Sequence, residues 1–347
     1  MTNVRFLSKS FRIIAKEKLK TFAIILENNE INSENNEINY SEFDDGKPKH
    51  EKRLNRFSVH KTRTVNLAKY LKGKDKIEEN FFKRLNNCYD YLLFKDYTNL
   101  NKIKLGATHS CQVHLLCPMC AIVRAAKQVQ LYEAKFKELK RKNPKLSIYY
   151  VVLTVKNGTD LSERYNHLEK SLKKLTARRR DALVAKKGSK SKKYALNSVF
   201  ANVSAGAYSI EVKKGENSKE WHPHANLLLL SEDRILESEI KAEWKKITKD
   251  SKIAYCQVKD DDDKTVFVEI FKYALKFSEM GFDDNFTAWD SLRGRRLMGT
   301  FGDFRGLDIE KEDTEIALKD EPYIELFYKY QAESQKYKLH RKNKIEV

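Results

Sequence analysis

The stretch Trp221–Leu230 constrains the fold more than any other, because two histidines are followed almost directly by four consecutive leucines. Alternate side chains of a β-strand project from the same face of a sheet, so His222 and His224 are predicted to lie side by side. The leucine run is typical of a buried strand. The stretch therefore predicts a buried strand that carries two imidazoles on one face, an arrangement suited to a divalent metal.

The segments around this strand alternate between strand-like and helix-like patterns. The β-branched and aromatic run 147–155 predicts a strand, and Asp160 is the predicted N-cap of the next helix. Further strands are predicted at 205–213, 221–230 and 254–258, and further helices at about 235–247 and 265–280. This order predicts an α+β fold in which helices pack on an antiparallel sheet of about five strands.

The 347 residues divide by composition into four predicted regions. Residues 1–63, which contain a direct repeat with few apolar side chains, are predicted to be a flexible N-terminal arm. Helical periodicity predicts a helical region over 64–143, and a charged segment with several aromatic residues predicts a helical C-terminal tail over 307–347. The predicted sheet occupies 144–306.

The net charge of +19 favours a polyanionic partner, although a Lys-rich composition also promotes solubility. The basic residues cluster, which favours nucleic acid. The run 178–193 is predicted to contact the DNA backbone, with a solvated loop as the alternative, through Arg178, Arg179, Arg180, Lys186 and Lys187. No apolar run approaches the ~20 residues of a membrane helix, so the chain is expected to be cytosolic.

A candidate metal site combines the histidine pair with a carboxylate. If the turn between the strands lies near 214–218, Glu211 is roughly opposite His222 and His224. One carboxylate and two imidazoles leave metal positions open for substrate oxygens. The alternative is a pair of edge-strand histidines beside an exposed glutamate.

A candidate nucleophile lies on the predicted helix 265–280. Glu269 precedes Tyr273 by four residues and Lys276 follows it by three, so the three side chains share one helical face. A tyrosine hydroxyl has an ordinary pKa of ~10 and needs a metal and nearby positive charge to act as a nucleophile. The alternative is a half-buried tyrosine on an amphipathic helix.

Taken in order, these motifs resemble the replication initiators of small rolling-circle plasmids, within the wider His-hydrophobic-His endonuclease class. The resemblance covers about 80–305 and is carried by Cys88 with Leu92 and Phe94, Cys117-Pro118-Met119-Cys120 with Arg124, Leu153–Asn157, His222-Pro223-His224, Glu269 with Tyr273 and Lys276, Gly294-Arg295-Arg296-Leu297, and Gly302. It implies the ferredoxin-like or RRM-like nuclease fold of that class, joined to a helical zinc-knuckle region.

The resemblance also implies a metal-dependent nicking and joining activity. Tyr273 would attack one phosphodiester of a plasmid origin and form a 5′-phosphotyrosyl intermediate, and the freed 3′-hydroxyl would prime synthesis. Glu211, His222 and His224 would hold Mg²⁺ or Mn²⁺, Glu269 would activate water at termination, and Lys276 would stabilise the phosphate. Implied partners are the double-stranded origin, single-stranded DNA, a host helicase and a single-strand binding protein. The chain departs from the family at Asn226, where a third histidine is common.

Three of the five cysteines lie within ten residues, and Cys111, Cys117 and Cys120 have zinc-ligand spacing. The fourth ligand is Cys88 by the resemblance, with His109 and His114 as competitors. Three buried free thiols are the alternative. The rival functions are a relaxase or single-strand transposase of the same chemistry, and a zinc-dependent DNA-binding regulator without catalysis.

Overall fold

The structure is a computed structural model, and it describes residues 49–215, 218–250, 254–259, 265–271, 277, 280–308 and 322–345. The chain divides into two compact units. The first unit is Met1–Ala126 with Glu310–Val347, and the second unit is Lys127–Ile309. Among the helices in the described ranges, none combines the length and the apolar character that a bilayer span requires.

The second unit contains a five-stranded antiparallel sheet with the order β6-β3-β5-β4-β7. Its strands are β3 Ser147–Thr154, β4 Val203–Lys214, β5 Trp221–Ser231, β6 Ala254–Lys259 and β7 Met298–Gly302. Strand β5 is central, and every residue from Pro223 to Ser231 is buried, because the leucine run is covered on both faces of the sheet. The prediction of an α+β fold with about five antiparallel strands is confirmed.

Three helices pack on this sheet where helices are predicted: α4 Leu161–Lys186, α5 Glu237–Thr248 and α6 Thr265–Phe271. Two further helices are α3 Pro118–Lys142, which crosses the boundary between the units, and α7 Phe282–Leu292, for which the sequence pattern provides no prediction. Asp160 caps α4 as predicted, since its Oδ1 accepts a hydrogen bond of 3.0 Å from the Glu163 amide. Trp244 of α5 is buried and donates through Nε1 to the Thr154 carbonyl, 2.6 Å away, which fastens α5 to the end of β3.

The first unit has its own four-stranded antiparallel sheet, with the order β2-β1-β8-β9. Its elements are α1 Lys49–Leu71, α2 Glu79–Asn86, β1 Tyr91–Tyr97, β2 Lys102–Ala107, β8 Tyr323–Gln331 and β9 Lys336–Ile345. The fully buried Lys61 ties α1 to the chain before β1, because its ammonium donates to the carbonyls of Asn86 and Cys88 and pairs with Asp90. These three acceptors compensate the cost of burying a charge.

Three predictions for this unit are wrong in part. Residues 49–63 of the predicted arm belong to helix α1, whereas 1–48 lie outside the described residues. The predicted helical region contains two strands, because the buried Leu92 and Phe94 alternate with partly exposed side chains in β1. The predicted helical tail forms β8 and β9, since its aromatic and basic residues alternate with a period of two and β1 provides a partner strand.

The observed boundary between the units at 126/127 also differs from the predicted one at 143/144. The reason is that the second half of α3 packs within the second unit. The Tyr132 ring stacks on Phe271 at a centroid distance of 4.8 Å, and Phe136 lies 5.9 Å from Phe267. These aromatic contacts join α3 to α6, so the end of α3 does not mark the boundary between the units.

Candidate active site and candidate metal centre

The β4–β5 pair brings the predicted carboxylate to the histidines. Glu211 is directly opposite His224, and Lys213 is opposite His222 in the antiparallel register. Because side chains alternate, Glu211, His222 and His224 share one face of the sheet. Strand β4 ends at Lys214 and β5 begins at Trp221, so the two strands are joined by a short connection that contains the predicted turn region 214–218 and limits the register.

Glu211 and His224 form a buried pair. The Nε2 atom of His224 lies 3.1 Å from Oε2 of Glu211, and the two residues are 9% and 2% exposed, respectively. The other ring nitrogen of His224, Nδ1, is buried and has no hydrogen-bond partner among the described residues. Burying an imidazole nitrogen without a hydrogen-bond partner costs free energy. A ligand that binds this nitrogen would remove the cost.

His222 lies beside this pair and is held by an amide. Its ring centroid is 5.5 Å from that of His224 with an angle of 29° between the planes, and its Nδ1 lies 2.5 Å from Oδ1 of Asn157. An amide oxygen accepts, so Nδ1 carries the hydrogen and Nε2 keeps its lone pair. Burial, with smaller contributions from His224 and Lys213, lowers the pKa of His222 to about 4. The ring is therefore neutral at neutral pH, which is the form that binds metals.

The position that departs from the family pattern, Asn226, is part of the same network. It is 2% exposed, and its Oδ1 accepts a hydrogen bond of 3.0 Å from the Tyr150 hydroxyl. Burial, followed by the charges of Glu269 and Glu211, raises the pKa of Tyr150 well above its ordinary value of 10. Tyr150 therefore stays protonated at neutral pH and acts as the hydrogen-bond donor to Asn226.

The remaining members of the predicted site, Tyr273 and Lys276, lie outside the described residues. Sequence reasoning missed Tyr150 and gave Asn157 no role. The signal for Tyr150 was available, because the β3–β5 pairing aligns it with Leu228 and thus with the face of His224. Asn157 follows β3, and its contact with His222 depends on a register that no local pattern specifies.

The donor set of this face suits a hard or borderline divalent cation, since it offers a carboxylate and two imidazoles. The candidate ligand atoms of Glu211, His222 and His224 lie farther apart than the sulfur atoms of four clustered cysteines in the first unit. His224 is paired through Nε2 with Glu211 and His222 through Nδ1 with Asn157, so these contacts leave the second ring nitrogen of each histidine unused. A set of three protein ligands leaves coordination positions for a substrate.

The four cysteines Cys88, Cys111, Cys117 and Cys120 form a compact buried cluster, and their sulfur atoms all lie within 4.8 Å of one another. The Sγ atom of Cys88 lies 3.5 Å from the Sγ atom of Cys117 and 3.5 Å from that of Cys120. Tetrahedral zinc with bonds of about 2.3 Å separates its sulfurs by roughly 3.8 Å, so the cluster is compatible with structural zinc. All four thiols are free of disulfides.

The cluster also identifies which side chain completes the set. Cys88 completes the cluster of four, whereas His109 and His114 are not part of it. The backbone amide of Cys111 donates to the Cys88 sulfur over 3.2 Å, and Ser110 lies 3.3 Å from the Cys120 sulfur. Hydrogen bonds to the sulfurs are a usual feature around metal-bound thiolates.

The predicted DNA contacts differ in their surroundings. Arg179 is engaged in the fold, since its guanidinium donates to the carbonyls of Val203 and Ser204. Arg178 lies 4.9 Å from the Tyr194 ring centroid and 3.7 Å from Glu243. The other three predicted contacts, Arg180, Lys186 and Lys187, are exposed.

Comparison with known proteins gives two relatives. A protein named "Protein rep" from Bacillus amyloliquefaciens is 26% identical over 286 residues, which cover 67% of this chain and 78% of the relative. A second "Protein rep", from Bacillus sp, is 24% identical over 268 residues, or 66% of this chain and 79% of the relative. No family model and no solved structure matches the chain. The two similarities support the resemblance to Rep-type replication initiators that the sequence motifs predict.

Proposed function

We propose that this protein is a plasmid replication initiator that nicks and rejoins origin DNA through a tyrosine nucleophile. The observation that carries the proposal is the β4–β5 register, which sets Glu211 3.1 Å from His224 and aligns His222 beside them. The similarity to two proteins named "Protein rep" over two thirds of the chain supports the same function.

The histidine face is proposed to bind the scissile phosphate. Mg²⁺ or Mn²⁺ held by Glu211, His222 and His224 would polarise that phosphate. Asn157 fixes the ring of His222 through Nδ1, so that Nε2 is directed away from the amide. The Tyr150 hydroxyl donates a hydrogen bond to Asn226, and this contact limits the rotamers of both side chains.

Tyr273 is proposed as the nucleophile. Its oxygen would form a bond to phosphorus while the bond to the 3′ oxygen breaks, which leaves a 5′-phosphotyrosyl linkage and a free 3′-hydroxyl. Glu269 lies on α6, four residues before Tyr273 in the sequence. It is proposed to take a proton from water when the linkage is hydrolysed at termination, and Lys276 is proposed to offset charge on the phosphate.

The four-cysteine cluster is proposed to hold zinc with a structural role. The ligand set is complete within the protein, so no coordination position is left for a substrate. Exposed Arg180, Lys186 and Lys187 are proposed to contact DNA phosphates, which contribute affinity without sequence choice.

A nicking assay on supercoiled plasmid that carries the protein's own origin tests the proposal. The wild type with Mg²⁺ or Mn²⁺ should convert the plasmid to the open circle, and mass spectrometry should locate an oligonucleotide adduct on Tyr273. Tyr273→Phe should abolish both and retain DNA binding, whereas Tyr70→Phe, at a partly exposed tyrosine on α1 of the first unit, should behave like wild type.

The outcomes separate the rival functions. Unchanged DNA behaviour in Tyr273→Phe, with no cleavage by wild type, would establish a non-catalytic regulator. Cleavage of single-stranded DNA without a preference for the origin would favour a relaxase or a transposase. An adduct at another tyrosine would overturn the assignment of the nucleophile.

A further inference from the structure

The four-stranded sheet of the first unit has one covered face and one open face. Helix α1 covers the first, where the His50 ring lies 4.6 Å from Phe94 and 5.3 Å from Tyr328 between centroids. The strand register places Leu93, Phe327 and Arg341 in one row on the opposite face. We call this surface the open face and define it by Tyr91, Lys95, Lys104, Phe327, Lys329, Lys338 and Arg341, which the register aligns on the same side.

Aromatic rings lie at the middle of the open face. Tyr91 and Phe327 stack with a centroid distance of 5.5 Å and an angle of 27°, and both remain partly exposed. The Arg341 guanidinium lies 5.7 Å from the Phe327 ring centroid. The solvent face of an antiparallel sheet ordinarily carries polar side chains, so a partly exposed pair of stacked rings marks a contact surface.

The charges around these rings are strongly biased. Five cations surround them, and the register adds a single carboxylate, Glu325, to the same side. Within the part of the chain that the structure describes, none of the five forms an ion pair with a carboxylate. Unpaired cations on one surface are complementary to a polyanion.

We propose that the open face binds single-stranded nucleic acid. Unpaired bases would stack on Phe327 and Tyr91, and the phosphates would lie along Lys329, Lys338 and Arg341. Stacking on protein rings requires bases whose flat faces are accessible, and a duplex buries those faces within its own stack. The surface lies in the first unit and the proposed nicking site in the second, so this binding does not depend on the nicking chemistry.

The first test isolates stacking from packing. Binding of the full chain to a fluorescent mixed-sequence 20-mer is measured by anisotropy, with DNA and RNA versions and a duplex of the same sequence. Phe327→Leu should weaken binding of the single strand roughly tenfold, the lower range of base–aromatic stacking, and leave duplex binding unchanged. Phe327→Tyr keeps the ring and should bind like wild type. Equal losses in both variants, or no loss in Phe327→Leu, would overturn the proposal.

The second test uses charge and leaves the ring in place. Lys329→Gln, Lys338→Gln and Arg341→Gln together should weaken single-strand binding and reduce the slope of log affinity against log salt by about 2. The control removes three charges at Lys83, Lys137 and Lys142, each paired with a glutamate one helical turn away. Similar behaviour of the two triple variants would overturn the proposal, because net charge would then explain the effect.

Two further readouts keep the interpretation unambiguous. Thermal unfolding identifies any variant with a damaged fold. If Phe327→Leu does not fold, the triple charge variant still tests the proposal, because it leaves Tyr91 and Phe327 unchanged. Sedimentation of wild type and triple variant tests a second copy of the chain as the occupant, and a change in oligomeric state would contradict nucleic-acid binding. Binding is also measured with Tyr273→Phe, so failure to nick and failure to bind are separate results.

Discussion

The two candidate metal sites of the chain differ in how completely the protein supplies them. In the first unit, four buried sulfurs lie within 4.8 Å of one another and form a closed set. In the second unit, Glu211 and His224 are in contact, while His222 is held by Asn157 on the same face. A closed set of four thiolates suits a structural ion, and an incomplete set of carboxylate and imidazoles suits an ion that also binds substrate.

The largest expected effect is loss of the cysteine cluster. Cys117→Ser should lose stoichiometric zinc and lower the free energy of unfolding on the order of several kcal/mol, because metal binding is coupled to folding. Metal analysis and thermal unfolding measure the two quantities. Cys256→Ser, at a cysteine outside the cluster, should keep both unchanged. Zinc retention and an unchanged melting temperature in Cys117→Ser would remove the distinction between the two sites.

The next effect concerns the candidate site of Glu211, His222 and His224 in the second unit. His224→Ala should reduce nicking on the order of 100-fold or more, because it removes a proposed ligand and leaves Glu211 unpaired by the ring. Its zinc content should equal that of wild type. His167→Ala, which removes a partly exposed imidazole whose Nε2 lies 3.1 Å from Oδ2 of Asp250, is the matched control and should nick normally. Equal rates in the two variants would show that the histidine face is not catalytic.

A smaller effect is expected from the residue that orients a proposed ligand. Asn157→Ala should weaken the apparent affinity for Mn²⁺ about 10- to 100-fold, since Nδ1 of His222 loses its acceptor. Nicking rates over a range of Mn²⁺ concentrations measure this affinity, and saturating metal should restore most of the rate. Asn202→Ala, at an exposed asparagine that contacts Asp233, serves as the control. A loss that no metal concentration rescues would assign Asn157 another role.

The smallest effect is a dependence of stability on pH in the first unit. Burial, together with nearby arginines, lowers the pKa of His50 and of His60 to about 4. The unfolded chain takes up these protons near pH 6.5 and the folded chain only near 4, so stability is complete above 6.5 and falls between 6.5 and 4. Each histidine should contribute at most about 3 kcal/mol over this pH range. Denaturant unfolding at pH 7 and pH 4.5 should show a smaller difference in His60→Gln than in wild type.

The sequence was most informative where local pattern and long-range pairing agree. The leucine run of β5 predicted a buried strand, and a short connection to β4 limited the register enough to align Glu211 with His224. The cysteine spacing predicted a cluster and left the fourth ligand open. That choice depends on how the chain around Cys88 folds back on 111–120, which no local pattern encodes.

The first unit was the least predictable part of the chain. Strand β1 finds one of its partners in β8, where Phe94 is opposite Leu326, more than two hundred residues away. The spacing of aromatic and basic residues in 323–345 is compatible with a helix and with a strand almost equally well. A distant partner strand decides between them, and only tertiary structure provides it.

The pairing of β1 with β8 has a consequence for biosynthesis. The whole second unit lies between these two strands in the chain, so it leaves the ribosome before the first sheet can close. At about 5–20 residues per second, β1 waits on the order of ten seconds or more for its neighbour. During that interval its exposed edge is open to wrong pairing, and a nascent chain stalled before β8 should be a preferred client of chaperones.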